Sequence, residues 1–207
     1  MTVFVLWEDK AKSPIARFGP HVFLVACVAS RLGTPDRHKF MRSKVIRGKT
    51  CACNGNLLRE LANEPLWDSP MYVVAVLDTD EIHDRLPRVL SRRTVADAGY
   101  SSWLDSAINE VRKHAAQAQQ ARLEICFLDR NMETLLSVVG QGMPQLSQAL
   151  RKDPLERDKI LHKAAADEAL IRRACSEMPS WNALVTTVTR LLESNMELIA
   201  DNFFRNR

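Results

Sequence analysis

Glycine is scarce in this chain, and its scarcity excludes several kinds of fold and site. Only 7 of the 207 residues are glycine, about half the usual share of ~7%. Turn-dense all-β folds and glycine-rich phosphate-binding loops both need more glycine, so we expect helices to dominate. The chain contains no GxGxxG, GxxxxGK(S/T) or GxSxG motif. This excludes Rossmann dinucleotide, P-loop and α/β-hydrolase sites.

Cysteine and histidine give little support for a disulfide framework or a zinc enzyme. The chain has five cysteines, an odd number, and we expect no disulfide framework. Cys51 and Cys53 form a CxC pair without a second Cys/His pair, which is only a weak zinc signal. The five histidines form no HxH, HxxxH or HxxE pattern, so a zinc hydrolase is unsupported.

Long apolar segments are also missing. The longest apolar run, residues 22–29, is far shorter than the ~20 residues that cross a membrane. Residues 1–7 lack the basic leader of a signal peptide. We therefore expect a cytoplasmic protein with no membrane partner.

The overall composition is that of a globular protein. Hydrophobic residues make up 46% and charged residues 26% of the chain, which is enough to bury a sizeable core. The net charge of +4 permits an anionic partner without requiring one. The length favours one domain with an appendage.

Short apolar runs separated by helical patterns predict an α/β fold. Three runs, residues 3–7, 71–77 and 123–128, favour buried strands of a mainly parallel sheet flanked by helices. Residues 44–47, within the most basic stretch of the chain, are a candidate for a short second strand. Asp153-Pro154-Leu155-Glu156 predicts the start of a long helix that extends to about Cys175. A second helix is expected from near Ser180. We thus predict an α/β domain over residues 1–150 and a C-terminal helical hairpin over 151–207 that packs on it.

Acidic residues follow several of these strands. Because the carboxyl ends of parallel strands meet at one edge of a sheet, acids there converge whatever their sequence separation. The acids in question are Glu8, Asp78, Asp80 and Glu133. Clustered carboxylates that stay ionised usually need a cation, and their hard oxygens suit Mg²⁺. The sequence therefore predicts a Mg²⁺ or Mn²⁺ site at this edge.

Three segments together resemble the Toprim fold, which topoisomerases, primases and OLD-family and related small nucleases share. They are FVLWEDK (4–10), VVAVLDTDE (73–81) and FLDRNMETLL (127–136), and the resemblance covers roughly residues 1–140. It implies that Glu8 is the catalytic acid/base, that Asp78 and Asp80 bind the metal, and that Glu133 is a further ligand. The family commonly has glycine after the first Glu, whereas this chain has Asp9.

Basic residues near these motifs are candidates for binding nucleic acid. Lysine and arginine beside a metal site would neutralise backbone phosphates. The candidates are Lys10, Lys12, Arg42, Lys44, Arg47, Arg85 and Arg88. Because a topoisomerase needs a tyrosine nucleophile and only Tyr72 and Tyr100 exist, the expected activity is metal-dependent hydrolysis of DNA or RNA phosphodiesters.

Two other functions compete with this one. A haloacid-dehalogenase-type phosphotransferase also uses a DxD motif, but after the first strand of its core rather than the third. A catalytically inactive Toprim-like scaffold is the other alternative. Asp9 and the apolar stripe over residues 184–199, which could dock a partner, favour the scaffold. The resemblance to small Toprim proteins implies a defence complex with an ATPase or toxin subunit, and the oligomeric state stays open.

Overall fold

The central feature of the fold is a four-stranded parallel sheet. The computed structural model describes residues 2–9, 14–68, 72–79, 100–128, 132–141 and 154–194. The strands are β1 (Val3–Trp7), β2 (Ile46–Thr50), β3 (Tyr72–Asp78) and β4 (Leu123–Leu128). Their order is β2-β1-β3-β4, and every neighbouring pair is parallel. The predicted α/β class with a parallel sheet is confirmed.

Helices flank this sheet on both faces. In the described part of the chain they are α1 (Gly19–Arg31), α2 (Arg37–Arg42), α3 (Asn54–Leu61), α4 (Tyr100–Arg112), α5 (Gln117–Gln120), α6 (Met132–Gln141), α7 (Pro154–Ala164), α8 (Glu168–Glu177) and α9 (Pro179–Glu193). Two short 3-10 helices cover Ile15–Arg17 and Glu64–Trp67. Among these described helices, none combines the length and apolar character that a membrane span requires.

β1, β3 and β4 are largely apolar on both faces because each face of the sheet has its own core. Alternate strand residues point to opposite sides of a sheet. One set, which includes Val5, Trp7 and Val76, packs with α1 and α6 to α9. The other set, which includes Leu6 and Leu77, packs with α3 and α4. The C-terminal helices therefore share a hydrophobic core with the sheet.

The C-terminal helices differ from the predicted hairpin. The expected single helix to about Cys175 is divided into α7 and α8 by a turn at residues 165–167. Asp167 caps α8, since its side chain accepts hydrogen bonds from the backbone N–H groups of Ala169 and Leu170. Such a cap satisfies N–H groups that a new helix would otherwise leave unpaired. The described C-terminal region thus contains three helices, α7, α8 and α9.

A close contact joins α7 to the start of α1. Phe18, the residue before α1, supplies no side-chain cap, and the carboxylate of Asp158 in α7 accepts the Gly19 N–H at 2.9 Å instead. A Cβ atom on Gly19 would lie 2.7 Å from Asp158 Cα, a distance that real Cβ atoms do not tolerate. Glycine at this position therefore lets the two helices meet.

His21 anchors the other face of α1 to the sheet. The indole N–H of Trp7 donates to His21 Nδ1 at 3.3 Å, and the ring also hydrogen-bonds to the backbone of Ile46. Gly48 makes room for the imidazole, because a Cβ there would lie 2.9 Å from it. Burial lowers the pKa of His21 to about 4, and the bond to Ile46 opposes that change only in part.

His21 is expected to make the protein acid-sensitive. Its pKa is lower in the folded than in the unfolded chain, so protons favour unfolding as pH falls through 6.5 towards 4. Between pH 7 and pH 5 this costs about 2 kcal/mol of unfolding free energy. Urea denaturation of wild type and His21→Gln at both pH values measures it. The exposed His114→Gln should behave as wild type, and equal pH losses in wild type and His21→Gln would contradict the assignment.

Candidate functional site

Glu8 lies where β1 ends, at the carboxyl edge of the sheet. Its backbone N–H donates to the carbonyl of Val76 in β3 at 3.1 Å, which continues the β1–β3 pairing one residue past Trp7. The residue is only 4% exposed. A buried carboxylate is costly unless polar groups surround it, so its neighbours decide what it can do.

Asp78, the last residue of β3, lies next to Glu8. Its backbone N–H donates to Glu8 Oε2 at 2.9 Å. The following residue, Thr79, donates its backbone N–H to the carbonyl of Leu128 in β4 at 3.1 Å. The structure therefore brings the Glu8 carboxylate to the backbone of Asp78, across 70 residues of chain.

The other predicted site residues are described less fully. Glu133 lies in the first turn of α6, which follows the carboxyl end of β4, and its side chain is outside the described part. Five further candidates lie outside the described residues altogether: Asp80, Lys10, Lys12, Arg85 and Arg88.

The donor atoms at this edge have the chemistry that a magnesium ion prefers. Within the described residues, no three His, Cys, Asp or Glu side chains are grouped so that they could hold a metal ion. Magnesium, however, typically takes one or two protein carboxylates, with water and substrate phosphate as its other ligands. Glu8 and Asp78 supply hard carboxylate oxygens, so these two residues fit such an ion.

Asp9, which stands where the Toprim motif commonly has glycine, forms an ion pair with Arg157 of α7. Arg157 Nη1 donates to Asp9 Oδ2, and the arginine side chain is only 9% exposed. The guanidinium also lies over the Phe18 ring, 5.4 Å from its centroid. The C-terminal helices thus contribute a buried cation next to the candidate site. The motifs in the sequence did not point to this residue.

Three of the predicted nucleic-acid contacts lie away from the carboxylates. Arg42 and Lys44 precede β2 and therefore lie at the amino edge of the sheet. Arg47 pairs with Phe4, and Cys51 is level with Glu8, so Arg47 is about 13 Å away along the strand at ~3.3 Å per residue. These three residues remain predicted contacts, but not ones that adjoin Glu8.

Other cations lie closer to the carboxyl edge. A surface cavity of about 670 Å³ follows the end of β2. Its lining residues are Lys49, Thr50, Cys51, Asn56, Arg59, Glu60 and Asn63. Lys49 pairs with Glu60 at 2.8 Å, while Arg59 bonds to Asn56 and to the Gly55 carbonyl. Neither Lys49 nor Arg59 is among the seven nucleic-acid contacts predicted from the sequence.

The Cys51 thiol is a poor nucleophile at neutral pH. Burial raises its pKa to about 12, and the nearby charges of Glu60 and Glu8 act in the same direction. Its neighbour Cys53 precedes α3 without a side-chain cap. No group of three possible metal ligands surrounds this pair among the described residues, so the geometry does not strengthen its weak zinc signal.

Comparison of the chain with protein-family models, curated proteins and solved structures gave no match. The geometry of the carboxyl edge is therefore the basis for proposing a function.

Proposed function

We propose that this protein is a magnesium- or manganese-dependent nuclease that hydrolyses phosphodiester bonds in DNA or RNA. The observation that carries the proposal is the hydrogen bond from the Asp78 amide to the Glu8 carboxylate. It supports a shared site because it holds the Glu8 carboxylate at the last residue of β3, at the edge where α/β proteins bind their ligands. Asp80 and Glu133 complete the proposed ligand set, as the Toprim resemblance implies.

Each residue has a separate role in the proposed reaction. The cation, when bound, polarises the phosphoryl group and lowers the pKa of the attacking water. A Glu8 carboxylate oxygen takes the proton from that water, and the Asp78 amide orients the carboxylate for this task. The Asp78 carboxylate is a metal ligand. Arg157, held by Asp9, supplies positive charge near the phosphate.

Hydrolysis of the phosphodiester by water fits this edge better than transfer of the phosphoryl group to a tyrosine. The chain has two tyrosines, and Tyr72 pairs with Val3 at the amino edge of the sheet. Tyr100 begins α4. Because β3 runs from Tyr72 to Asp78, about six residue steps or roughly 20 Å separate this tyrosine from the carboxyl edge. Water is therefore the proposed nucleophile.

The scaffold alternative loses one of its supports. The apolar stripe of α9 was its candidate docking surface. Over Leu184, Val188, Leu191 and Leu192 this stripe is buried in the core shared with the sheet, so this part of it is not available to a partner. Residues 195–199 of the predicted stripe lie outside the described residues. A partner ATPase or toxin subunit in a defence complex remains part of the proposal.

The proposal is tested by the response of wild type and Asp78→Asn to divalent cations. Because the substitution keeps the backbone N–H that binds Glu8 but removes a charged ligand, we expect a selective loss of metal binding. Wild type should gain several degrees in Tm with Mg²⁺ or Mn²⁺ and cleave plasmid DNA or structured RNA. Asp78→Asn should lose both responses, with cleavage lowered at least ~100-fold.

Asp105→Asn is the matched control, because Asp105 is an exposed carboxylate of α4 outside the proposed ligand set. It should keep the thermal shift and the cleavage of wild type. A wild-type protein whose Tm does not respond to either cation would contradict the nuclease and favour the scaffold. Full activity in Asp78→Asn would remove this residue from the metal site.

A further inference from the structure

The polar face of α3 lines the surface cavity at the end of β2. Asn56, Arg59 and Glu60 stand at i, i+3 and i+4 on this helix, so they share one face, and Asn63 continues it just past the helix end. A different face of α3 is buried in the core through three leucines: Leu57, Leu58 and Leu61. The packing of α3 therefore turns a row of hydrogen-bonding side chains towards the cavity.

The wall of this cavity carries more positive than negative charge. Its charged residues are Lys49, Arg59 and Glu60. Glu60 pairs with Lys49 at 2.8 Å, whereas the bonds that Arg59 makes within the described residues go to two neutral oxygens of α3, from Nε and Nη2. Burial raises the pKa of the Cys51 thiol to about 12, so this residue adds no opposing charge. Arg59 thus presents Nη1 and a positive charge to an anion.

The cavity adjoins the proposed nuclease site across one strand spacing. Cys51, which lines the cavity, donates its backbone N–H to the Trp7 carbonyl at 2.7 Å and is level with Glu8. Neighbouring strands lie ~4.8 Å apart, while successive phosphates of a duplex strand advance ~3.4 Å along its axis. A strand whose scissile phosphate lies over Glu8 therefore places a phosphate one or two nucleotides away over this cavity.

We propose that this cavity binds a backbone phosphate of a polynucleotide beside the phosphate that is cleaved, an inference that rests on the proposed nuclease function. Arg59 donates from Nη1 to a phosphate oxygen, and Lys49 adds a second positive charge. Because a phosphate contact carries no base information, DNA and RNA strands bind with little sequence preference. The substrate is thus a polynucleotide that extends past the cleaved bond, not a mononucleotide.

Binding without metal tests the phosphate site separately from cleavage. Fluorescence anisotropy of a labelled single-stranded oligonucleotide, as DNA and as RNA, gives Kd in EDTA over a range of salt concentrations. Arg59→Gln should raise Kd about 10-fold and reduce the slope of log Kd against log salt by about 1. Lys49→Gln should raise Kd by less, because Glu60 already offsets part of the lysine charge.

Arg172→Gln is the matched control, because Arg172 is an exposed arginine of α8 that does not line the cavity. It makes the same change in net charge and should bind the oligonucleotide as wild type does. Inorganic phosphate distinguishes a polynucleotide from a free anion, and it should compete only far above the oligonucleotide Kd because it makes one contact among several. Competition by phosphate near that Kd would overturn the polynucleotide as the ligand.

The outcomes separate this site from the nuclease itself. Wild type that binds no oligonucleotide, or Arg59→Gln that binds as tightly as Arg172→Gln, would overturn the phosphate site even if wild type cleaves with Mg²⁺. Weaker binding by Arg59→Gln alone, in a protein whose Tm and cleavage do not respond to divalent cations, would support the phosphate site and contradict the nuclease.

Discussion

Glu8→Gln is expected to lower divalent-dependent cleavage by ~10²- to 10⁴-fold, the usual contribution of a positioned acid or base. The side-chain oxygen of the introduced glutamine can still accept the Asp78 N–H that Glu8 Oε2 accepts at 2.9 Å. What the substitution removes is the negative charge and the ability to take a proton. Initial cleavage rates on plasmid DNA or structured RNA at saturating Mg²⁺ measure the effect.

The same variant separates catalysis from folding. Because glutamine preserves the shape and the accepted hydrogen bond, the unfolding free energy should stay within about 1.5 kcal/mol of wild type. Glu64→Gln, an exposed carboxylate near the end of α3, is the matched control and should cleave at the wild-type rate. Wild-type cleavage by folded Glu8→Gln would remove Glu8 from the mechanism.

Arg157→Met is expected to destabilise the protein by about 3 kcal/mol, because breaking a largely buried ion pair leaves the partner charge poorly compensated. Arg157 is 9% exposed and pairs with Asp9, which is 24% exposed. Methionine keeps much of the aliphatic contact with Phe18 and removes only the charge and its hydrogen bonds. Urea denaturation gives the free energies of unfolding.

A double-mutant cycle measures the interaction energy between Asp9 and Arg157. Asp9→Asn combined with Arg157→Met should lose less than the sum of the single losses, with a coupling of ~1–2 kcal/mol. Lys159→Met is the control, because its ion pair with Glu156 is exposed and should contribute less than ~0.5 kcal/mol. An Arg157→Met protein as stable as wild type would show that the pair does not fix α7 to the end of β1.

The strands were predictable in proportion to how completely they are buried. The apolar run at residues 123–128 is observed as β4 with the same bounds, since both faces of β4 are covered. β2 was expected at 44–47 but spans Ile46–Thr50. β2 and β4 are both edge strands, but Arg47 and Lys49 of β2 are exposed, so the residues of β2 alternate and give a weaker apolar signal.

The break between α7 and α8 had a local signal that was overlooked. Asp167-Glu168 combines a capping residue with an acid in the first turn of a helix, the usual pattern of a helix start. The apolar spacing through Ile160, Leu161, Leu170 and Ile171 continues across the turn, because both helices bury a face in the same core. Hydrophobic periodicity alone therefore predicted one long helix where the structure has two.

The residues of the candidate site differ in whether the sequence alone could predict them. Glu8 and Asp78 follow from the rule that parallel strand ends converge. The same rule places residues that precede a strand, such as Arg42 and Lys44, at the opposite edge. Arg157 could not be found in this way, because its contact with Asp9 spans 148 residues and depends on how α7 packs on α1.

The most direct test of the central claim, that Glu8 and Asp78 share a divalent cation, is an anomalous difference map from crystals soaked in Mn²⁺. We predict a peak about 2.1 Å from an Asp78 carboxylate oxygen, with Glu8 reaching the ion through one water. Manganese peaks confined to other parts of the molecule at saturating concentration would contradict it.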